Sequence, residues 1–555
     1  MAKYDNFSRD ELIELLQKQD KELARKKYGL VWDSEKEPEQ VVLDCAKKLP
    51  ILKNITEKDI KTSDDDYNIM IEGDNYHALQ VLNYTHKGKV DVIYIDPPYN
   101  RGKKDFIYND KYVDKEDGYR HSKWLNFMEK RLELARELLE DNGLIFISID
   151  DHEQANLKLI CDKIFGENCF INQFIWKKNS SVKTEKTKFT VNTEYVFLYS
   201  KSSSYSLRSA FKSLSKSSQK LYKKDDHDGR GLYQTVSLQK PKDPGPETTY
   251  DYVDNNGKIW KCPTKGWRMK YEKIKSLEND NRLVLTGKTL RVKDYWNERL
   301  NEGKRIDTLW DDLPENSAAT NELYEIVPNS AFNNPKPSKL VARCLNIAAK
   351  NALVLDFFAG SGTTGHAVLE QNKQDGGNRK FIICTNNEGN IATEVCYPRV
   401  KRVIQGYNKN GNEEFIEGLG GNLKYFKTDF VVNSKNKTQT KINLAKQCSE
   451  MLCLKTGIYN PIDEENPCFK LFDNNKHNKF LCVYFDFFGN NIHDFINKIR
   501  ALNGEKFVFM FSLDENVDKS LFEGIENIKI EPIPQKILDV YKKIAKEHIK
   551  GDNHD

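Results

Sequence analysis

The sequence of 555 residues contains no run of about 18 apolar residues, so it predicts no helix that crosses a membrane. Its N-terminus, MAKYDNFSRDELIELL, lacks a basic stretch followed by an apolar one, which predicts a protein without a secretory signal. The 11 cysteines form no pairs at zinc-binding spacing, so a reducing compartment (the cytoplasm) and no structural zinc are expected. The length predicts roughly two to four domains, and hydrophobic residues at 38% with aromatics at 11% are enough to bury sizeable cores, which excludes wholesale disorder.

Charge is distributed unevenly along the chain. The net charge is only +4, but residues 177–305 contain 29 Lys and Arg against 15 Asp and Glu, which is +14 and leaves −10 for the rest. A strongly basic segment inside an acidic protein is typical of a domain that binds a polyanion. A lysine-rich face that is merely solvated explains the same charge equally well.

Hydrophobic periodicity divides the chain into five regions. Apolar strands alternate with helices in two of them, which predicts a doubly wound, mostly parallel α/β sheet with helices on both faces. The basic segment interrupts this alternation, and a small α/β domain follows the sheet. The regions are an amphipathic helix with an acidic linker (1–40), the first half of the sheet (41–176), the basic insert (177–305), the second half of the sheet (306–420) and the C-terminal domain (421–555).

A glycine-rich loop follows the predicted strand that ends at Asp356. The segment Phe358-Ala-Gly360-Ser-Gly362-Thr363 lies between this strand and a helix, where glycines let the backbone approach a ligand and helix N–H groups are free. The spacing departs from GxGxxG and no lysine follows, so the loop is typical neither of a dinucleotide site nor of a P-loop. It favours a ligand with a carboxylate and a sugar. A glycine turn that serves only helix–sheet packing is the structural alternative.

A second loop, Asp96-Pro97-Pro98-Tyr99, ends another apolar strand. Its two prolines make it stiff and remove two backbone donors, so the Asp96 carboxylate and the Pro97 carbonyl are acceptors beside the flat ring of Tyr99. An exocyclic amine on an aromatic base needs such acceptors, because its lone pair is delocalised and the charge that develops during attack must be dispersed. Tyr99 would stack on a base that has rotated out of a duplex. A proline-stiffened turn without chemistry is the alternative.

Together these two loops resemble the D-P-P-Y and F-x-G-x-G motifs of the amino-DNA methyltransferases, which use S-adenosylmethionine. The order found here, with Asp96 lying 260 residues before Asp356, is similar to that of the β group of N6-adenine methyltransferases, a circular permutation of the Rossmann-like fold. The resemblance implies methyl transfer to adenine N6 in duplex DNA by base flipping, without a metal. The implied catalytic residues are Asp96, Pro97, Pro98 and Tyr99.

Shorter strings extend the resemblance to the cofactor. Gly73-Asp74-Asn75 is similar to the motif whose acid faces the cofactor adenine, and Lys336-Pro337 to the motif that borders its methionine end. Thr385-Asn386-Asn387-Glu388 stands where the family has its ribose-binding acid, so the sequence does not identify the ribose ligand. The implied cofactor-binding residues are Asp74, Lys336, Asp356, Phe358, Gly360, Gly362 and Thr363.

Trp310-Asp311-Asp312, Thr320-Asn321-Glu322 and the leading helix resemble the modification (Mod) subunits of type III restriction–modification systems. This resemblance implies a homodimer on double-stranded DNA and a helicase–nuclease restriction subunit as partner. The expected contact is the apolar stripe of the leading helix, formed by Leu12, Leu15, Leu16 and Leu23. A methyltransferase acting on cytosine N4 is a rival, although the family tends to have serine at position 96 in that case. A catalytically idle DNA-recognition subunit is the other.

The insert 177–305 is interpreted as the target-recognition region, because its basic residues alternate with aromatic ones. The basic residues considered are Lys183, Lys186, Lys188, Arg208, Lys212, Arg268, Lys270, Arg291 and Lys293, and the aromatic ones are Tyr195, Tyr205, Tyr233, Tyr250, Trp260, Trp267 and Trp296.

Four further features of the sequence are also considered as candidates for the site. Asp150-Asp151-His152-Glu153 fits a helix start better than a metal site, Trp124 fits a core better than a stacking role, and His121 has no evident partner. Glu194 is as consistent with pairing to a cross-strand lysine as with a place in the site.

Overall fold

The computed structural model describes residues 39–102, 105–181, 189–208, 211–212, 219–241, 245–285, 289–298, 304–328, 330–409, 414–513 and 516–548, together with Ile13 and Leu16. They form two compact units, one made of residues up to 208 and from 308 onward, the other lying within 209–307. Leu16 is helical and 59% exposed. The other three leucines of the predicted stripe, Leu12, Leu15 and Leu23, lie outside the described residues.

The larger unit is built on a sheet of ten strands. In chain order, β1 to β10 are Lys48–Asn54, Tyr67–Glu72, Val90–Ile95, Leu139–Ile149, Phe170–Lys177, Thr193–Ser200, Leu309–Trp310, Leu353–Asp356, Lys380–Thr385 and Asn422–Val432. They lie in the order β1-β10-β2-β9-β8-β3-β4-β6-β5-β7. The strands from β10 to β4 run parallel, whereas β1 and β6 are antiparallel to their neighbours. The prediction of a mostly parallel sheet is confirmed.

Helices cover both faces of this sheet. Successive residues of a strand point to opposite faces, and along β3 both sets are buried: Ile93 and Ile95 pack in the core with α2 to α4, while Val92 and Tyr94 point to the face that α6 contacts. Helices α1 to α8 are Gln40–Lys47, Asn75–Thr85, Arg120–Leu138, Gln154–Phe165, Asn316–Ile326, Ser338–Ile347, Thr363–Asp375 and Tyr397–Gln405. Of the helices in the described ranges, none is long and apolar enough to cross a membrane.

The order of the sheet reverses between β8 and β3. Val92 of β3 pairs with Val354 of β8, and Ile93 with Leu355. From β8 the chain continues through α7 to β9 on one side, whereas from β3 it continues through α3 to β4 on the other. The carboxyl ends of strands at such a reversal open a crevice. The two loops singled out in the sequence therefore meet there, as the permuted order predicted.

The C-terminal region has a sheet of its own but shares the core of the larger unit. Helices α9 to α12 are Lys437–Gln447, Ser449–Thr456, Ile492–Ala501 and Gln535–His548, and strands β11 to β15 are Asn460–Asp463, Phe469–Asp473, Lys479–Tyr484, Glu505–Phe511 and Ile528–Ile533. Leu481, Phe509 and Ile537 belong to the core that lies under α2 and α3. The Tyr541 hydroxyl donates to the carbonyl of Pro50 at 2.6 Å. The region after 421 is thus packed on the main sheet.

The smaller unit contains an antiparallel sheet, with Arg291–Tyr295 between Tyr233–Ser237 and Leu283–Val284, and the helix Tyr271–Asn279. Its core includes Trp260 and Trp267, and the Trp267 indole N–H donates to the carbonyl of Tyr250 at 2.6 Å. These aromatic residues, which the sequence pattern placed among DNA contacts, hold the unit together. The unit covers fewer residues than the predicted insert 177–305, because β5 and β6 are paired in the main sheet.

Candidate active site

Four neighbouring parallel strands, β2, β9, β8 and β3, end at one edge of the main sheet. The residues that follow or close them are Asp74, Thr385, Asp356 and Asp96. Backbone hydrogen bonds join these ends, since Gly73 N–H donates to Thr385 and Ala359 N–H to Cys384, both at 3.0 Å. Every residue that the sequence put forward for the site, with Lys336, lies in or beside this edge.

The loop Asp96–Tyr99, called the DPPY loop below, is held rigidly from behind. Trp124 of α3 is completely buried, and its indole N–H donates to the carbonyl of Pro98 at 2.7 Å. Asn100, in the left-handed region at φ 56°, donates to Glu153 at 2.5 Å and to the carbonyl of Arg120 at 3.2 Å. The predicted core role of Trp124 is correct, and that core position fixes the loop.

The Asp96 carboxylate is at the centre of a partly buried network of charged groups. Lys336 Nζ donates to its two oxygens at 2.9 and 2.8 Å, and the Tyr99 hydroxyl donates to Oδ1 at 2.7 Å. Oε2 of Glu194 lies 3.2 Å from the same hydroxyl and 3.4 Å from the same ammonium. Glu194 is 3% exposed. It therefore belongs to the site, and it also pairs with a lysine, so both interpretations of the sequence hold.

Two further cations lie close to the Glu194 carboxylate. Lys178 Nζ lies 3.3 Å and Arg101 Nη2 lies 3.6 Å from its Oε1. Arg101 also donates through Nε to Asp150 at 2.8 Å, and its guanidinium lies 4.8 Å from the centre of the Tyr99 ring. Three carboxylates and three cations thus balance one another. Arg101 and Lys178 were not identified from the sequence, because pairs so far apart along the chain carry no local signal.

The network keeps its donors protonated. Burial acts to lower the pKa of Lys336, but the carboxylates of Asp96 and Glu194 outweigh it and raise that pKa above its ordinary value. Burial and the same two carboxylates hold the pKa of Tyr99 far above its usual range. An ammonium and a neutral hydroxyl therefore face Asp96 at any physiological pH.

The glycine loop, Phe357–Gly365, leaves no room for side chains at its tightest points. Gly360 and Gly362 have φ of +49° and +78°, and a Cβ would lie 2.9 Å from Phe332 at the first and 3.1 Å from the Cys396 sulfur at the second. Asp356 accepts the Phe358 N–H at 2.9 Å and the Thr364 hydroxyl. Burial raises the pKa of Asp356 to about 7, against the lowering effect of these hydrogen bonds.

Two buried arginines fasten the neighbouring loops. Arg399 donates to the Thr363 hydroxyl at 2.8 Å and to Glu322 at 2.5 Å, which is the glutamate of the Thr320–Glu322 string. Burial opposes ionisation of Glu322, but His366 and Arg399 lower its pKa to about 2.

On the other side, Arg131 forms two hydrogen bonds with Glu39 at 3.0 and 2.7 Å and lies 3.7 Å from Asp74. The side chain of Asp74 accepts the Tyr76 N–H at 2.7 Å and so caps α2. Asn75 donates to the carbonyl of Phe357 at 3.0 Å and joins this end of β2 to the glycine loop.

The acidic string at the end of β4 stabilises the local structure. Asp150 accepts the His152 N–H at 3.0 Å and pairs with Arg101, and Glu153 lies 2.7 Å from His121. Burial acts to raise the pKa of Asp150, yet the His152 N–H and Arg101 lower it below its ordinary value. In the described part of the chain, no group of three or more His, Cys, Asp or Glu is arranged to hold a metal ion.

Comparison with known proteins gives related sequences. The N6/N4 methyltransferase family profile, described as DNA methylase, matches residues 90–395. The Mod subunit of the type III restriction–modification enzyme StyLTI from Salmonella typhimurium is 34% identical over 406 residues, which are 65% of this chain and 60% of that subunit. The type II methyltransferase M.KpnI from Klebsiella pneumoniae is 34% identical over 369 residues, 62% of this chain and 86% of M.KpnI.

Among solved structures, the cytosine-N4-specific PvuII DNA methyltransferase is 12% identical over 60% of this chain and 86% of its own, with a TM-score of 0.32. A likeness at that score carries no weight for function. The family profile carries weight, because its match spans more than half of this chain. It runs from β3 to the residues after β9 and so includes both loops of the site. The chain belongs to the DNA methylase family.

Proposed function

We propose that this protein is a DNA methyltransferase that transfers a methyl group from S-adenosylmethionine to N6 of adenine in a specific duplex sequence. The observation that carries the proposal is the pairing of β3 with β8, which puts the DPPY loop beside the glycine loop where the sheet order reverses. Family membership supports the same reaction. The chain spans 60% of the StyLTI Mod subunit, so the activity is proposed here on the site itself.

The glycine loop suits a nucleoside cofactor that carries an amino-acid group. Only glycine fits at Gly360 and Gly362, where φ is positive and a Cβ would press on Phe332 or Cys396. Lys336, whose ammonium pairs with Asp96, and Asp74, whose carboxylate caps α2, lie beside the same edge of the sheet. The residues proposed to hold S-adenosylmethionine are Asp74, Lys336, Asp356, Phe358, Gly360, Gly362 and Thr363. When bound, this cofactor supplies an electrophilic methyl group.

The DPPY loop would hold the base that accepts the methyl group. The Asp96 carboxylate and the Pro97 carbonyl would accept the two N–H bonds of the adenine amine and stabilise the positive charge that develops on its nitrogen. Trp124 and Asn100 keep the loop in place, so little freedom is lost when the base enters. The ring of Tyr99 would stack on the flipped adenine.

The smaller unit would read the DNA sequence. Residues 209–307 contain 22 Lys and Arg against 14 Asp and Glu, so the unit keeps a net +8 after the strands of the main sheet are left out. Lysines and arginines on such a surface neutralise phosphates and release counterions. Binding to duplex DNA should therefore weaken steeply between low and moderate salt.

We further propose, from the likeness to a Mod subunit, that the protein acts in the cytoplasm as a homodimer and modifies DNA for a restriction–modification system. A helicase–nuclease restriction subunit would dock on the C-terminal region, residues 421–555. Neither the dimer nor this docking site is needed for the chemistry at Asp96.

The reaction is tested with purified protein, duplex DNA and S-adenosylmethionine that carries a tritiated methyl group. Label should enter the DNA and be recovered, after digestion to nucleosides, as N6-methyladenine. Recovery as N4-methylcytosine would still show methyl transfer to an exocyclic amine, but it would identify cytosine instead of adenine as the target base. No incorporation into any duplex, with intact cofactor binding, would instead identify a DNA-recognition subunit.

A further inference from the structure

The Asp96 carboxylate, which would hold the target amine, is already engaged in the free enzyme. Lys336 donates to both of its oxygens, at 2.9 and 2.8 Å, and the Tyr99 hydroxyl donates to Oδ1 at 2.7 Å. A hydrogen bond to an ammonium is about twice as strong as one to a neutral donor such as the adenine amine. The amine therefore competes poorly for Asp96 until Lys336 and the Tyr99 hydroxyl have moved.

A second carboxylate lies within reach of both donors. The Tyr99 hydroxyl is only 3.2 Å from Oε2 of Glu194, and Lys336 Nζ is 3.4 Å from the same oxygen. The hydroxyl and the ammonium are thus shared between two acceptors, with Asp96 the nearer. A displacement of about half an ångström in each donor would reverse this preference.

Glu194 is held so that this oxygen stays available. Its other oxygen, Oε1, lies 3.3 Å from Lys178 and 3.6 Å from Arg101, and Arg101 is itself anchored on Asp150 at 2.8 Å. The side chain is 3% exposed and therefore excluded from bulk water. Because Lys336 lies 2.8 Å from Asp96 and 3.4 Å from Glu194, its ammonium stays beside a carboxylate in either position.

We propose that Glu194 is a positioning residue that takes Lys336 and the Tyr99 hydroxyl from Asp96 when the target base enters, so that Asp96 can hold the amine. The inference rests on the proposed methyl transfer at Asp96. No covalent bond or proton changes hands in this step. It also frees the Tyr99 hydroxyl from its hydrogen bond to Asp96.

The test is Glu194→Gln, which keeps the shape of the side chain and removes the charge that competes for Lys336. We expect the single-turnover rate of methyl transfer, at saturating cofactor and DNA, to fall by about 10- to 100-fold, because most molecules keep Asp96 occupied. The dissociation constants for S-adenosylmethionine and DNA should change by less than about threefold, since no contact to either is removed. Glu129→Gln, which removes a glutamate that pairs with Lys163 at 2.6 Å, is the matched control and should keep the wild-type rate.

A double-mutant cycle with Lys336→Met separates this role from a merely structural one. Where Lys336 is absent, Glu194 has no ammonium to remove, so Glu194→Gln should then change the rate by less than about threefold. An equal loss in both backgrounds would overturn the inference, and so would a Glu194→Gln rate within about twofold of wild type. Should Glu194→Gln not fold, Glu194→Asp keeps the charge but shortens the reach, and the same loss is expected. A wild-type protein that methylates no DNA would refute the proposed function instead.

Discussion

Replacing Asp96 with asparagine tests the proposed reaction most directly. Asparagine keeps the volume and one acceptor oxygen but removes the charge that Lys336 pairs with at 2.8 and 2.9 Å. Losing a hydrogen bond to a charged partner costs about 1.5–3 kcal/mol, and Glu194 at 3.4 Å from the same ammonium offsets part of it. We therefore expect the free energy of unfolding to fall by about 1–2 kcal/mol, which the protein should tolerate.

The rate should suffer far more than the stability. Without the carboxylate, the charge that develops on the amine nitrogen is poorly stabilised, and loss of one such contact typically costs about 10²–10³-fold. The assay is tritiated-methyl incorporation in a single turnover, with cofactor titration and urea unfolding of the same preparation. Asp151→Asn is the control, because Asp151 is an exposed carboxylate near the same edge that accepts a hydrogen bond from the partly exposed Tyr195 at 2.8 Å. Asp96→Asn activity above about a tenth of wild type would refute the proposed role.

Three further predictions concern the support of the site, its ionisation and the assembly. Trp124→Phe removes the hydrogen bond to the Pro98 carbonyl and part of a buried ring, so urea unfolding should show a loss of about 2–4 kcal/mol, and the methylation rate should fall; unchanged activity would mean that the DPPY loop needs no such support. The pKa of Asp356 is about 7 in the folded protein, above its ordinary value of 3.8. The stability that the protonated side chain contributes to the folded state is therefore present at low pH and is lost as the pH rises from 3.8 to about 7. Asp356→Asn should therefore raise the melting temperature relative to wild type more at pH 8 than at pH 4, and a gain independent of pH would contradict this. Light scattering should give a mass of twice 64.5 kDa for the wild type and near 64.5 kDa for a variant with Leu12→Lys and Leu16→Lys. If the variant keeps the mass of the wild-type dimer, the dimer contact does not involve these two leucines.

The architecture of the main sheet could be predicted from the sequence because its signals are local. Val90–Ile95 and Leu353–Asp356 are continuous apolar strands, as expected for a sheet buried on both faces. Each ends at a loop with a distinctive composition, and the carboxyl ends of neighbouring parallel strands share one edge. Two loops 260 residues apart could therefore be brought together without any long-range information.

The ionic network around Asp96 could be predicted only in part. Glu194 stood out as a charge in the apolar strand Thr193–Ser200, but nothing local showed whether it faced a lysine or the site. Arg101, Lys178 and Lys336 lie on three different segments, and only folding brings them together. In the smaller unit, tryptophans beside lysines fitted both a DNA-contacting surface and a core. The structure places these tryptophans in the core, because a unit of this size needs its largest apolar side chains inside.

The position of β10 between β1 and β2 has a practical consequence for anyone who expresses shorter fragments. A chain cut at residue 420, a natural choice from the sequence, would lose a strand that is hydrogen-bonded on both sides. It would turn β2 into an open edge, leave β1 without a neighbour and uncover the apolar surface that Tyr541 and Ile544 now bury. Unpaired edges of this kind recruit other chains. Such a fragment should precipitate even though it contains every residue of the candidate site.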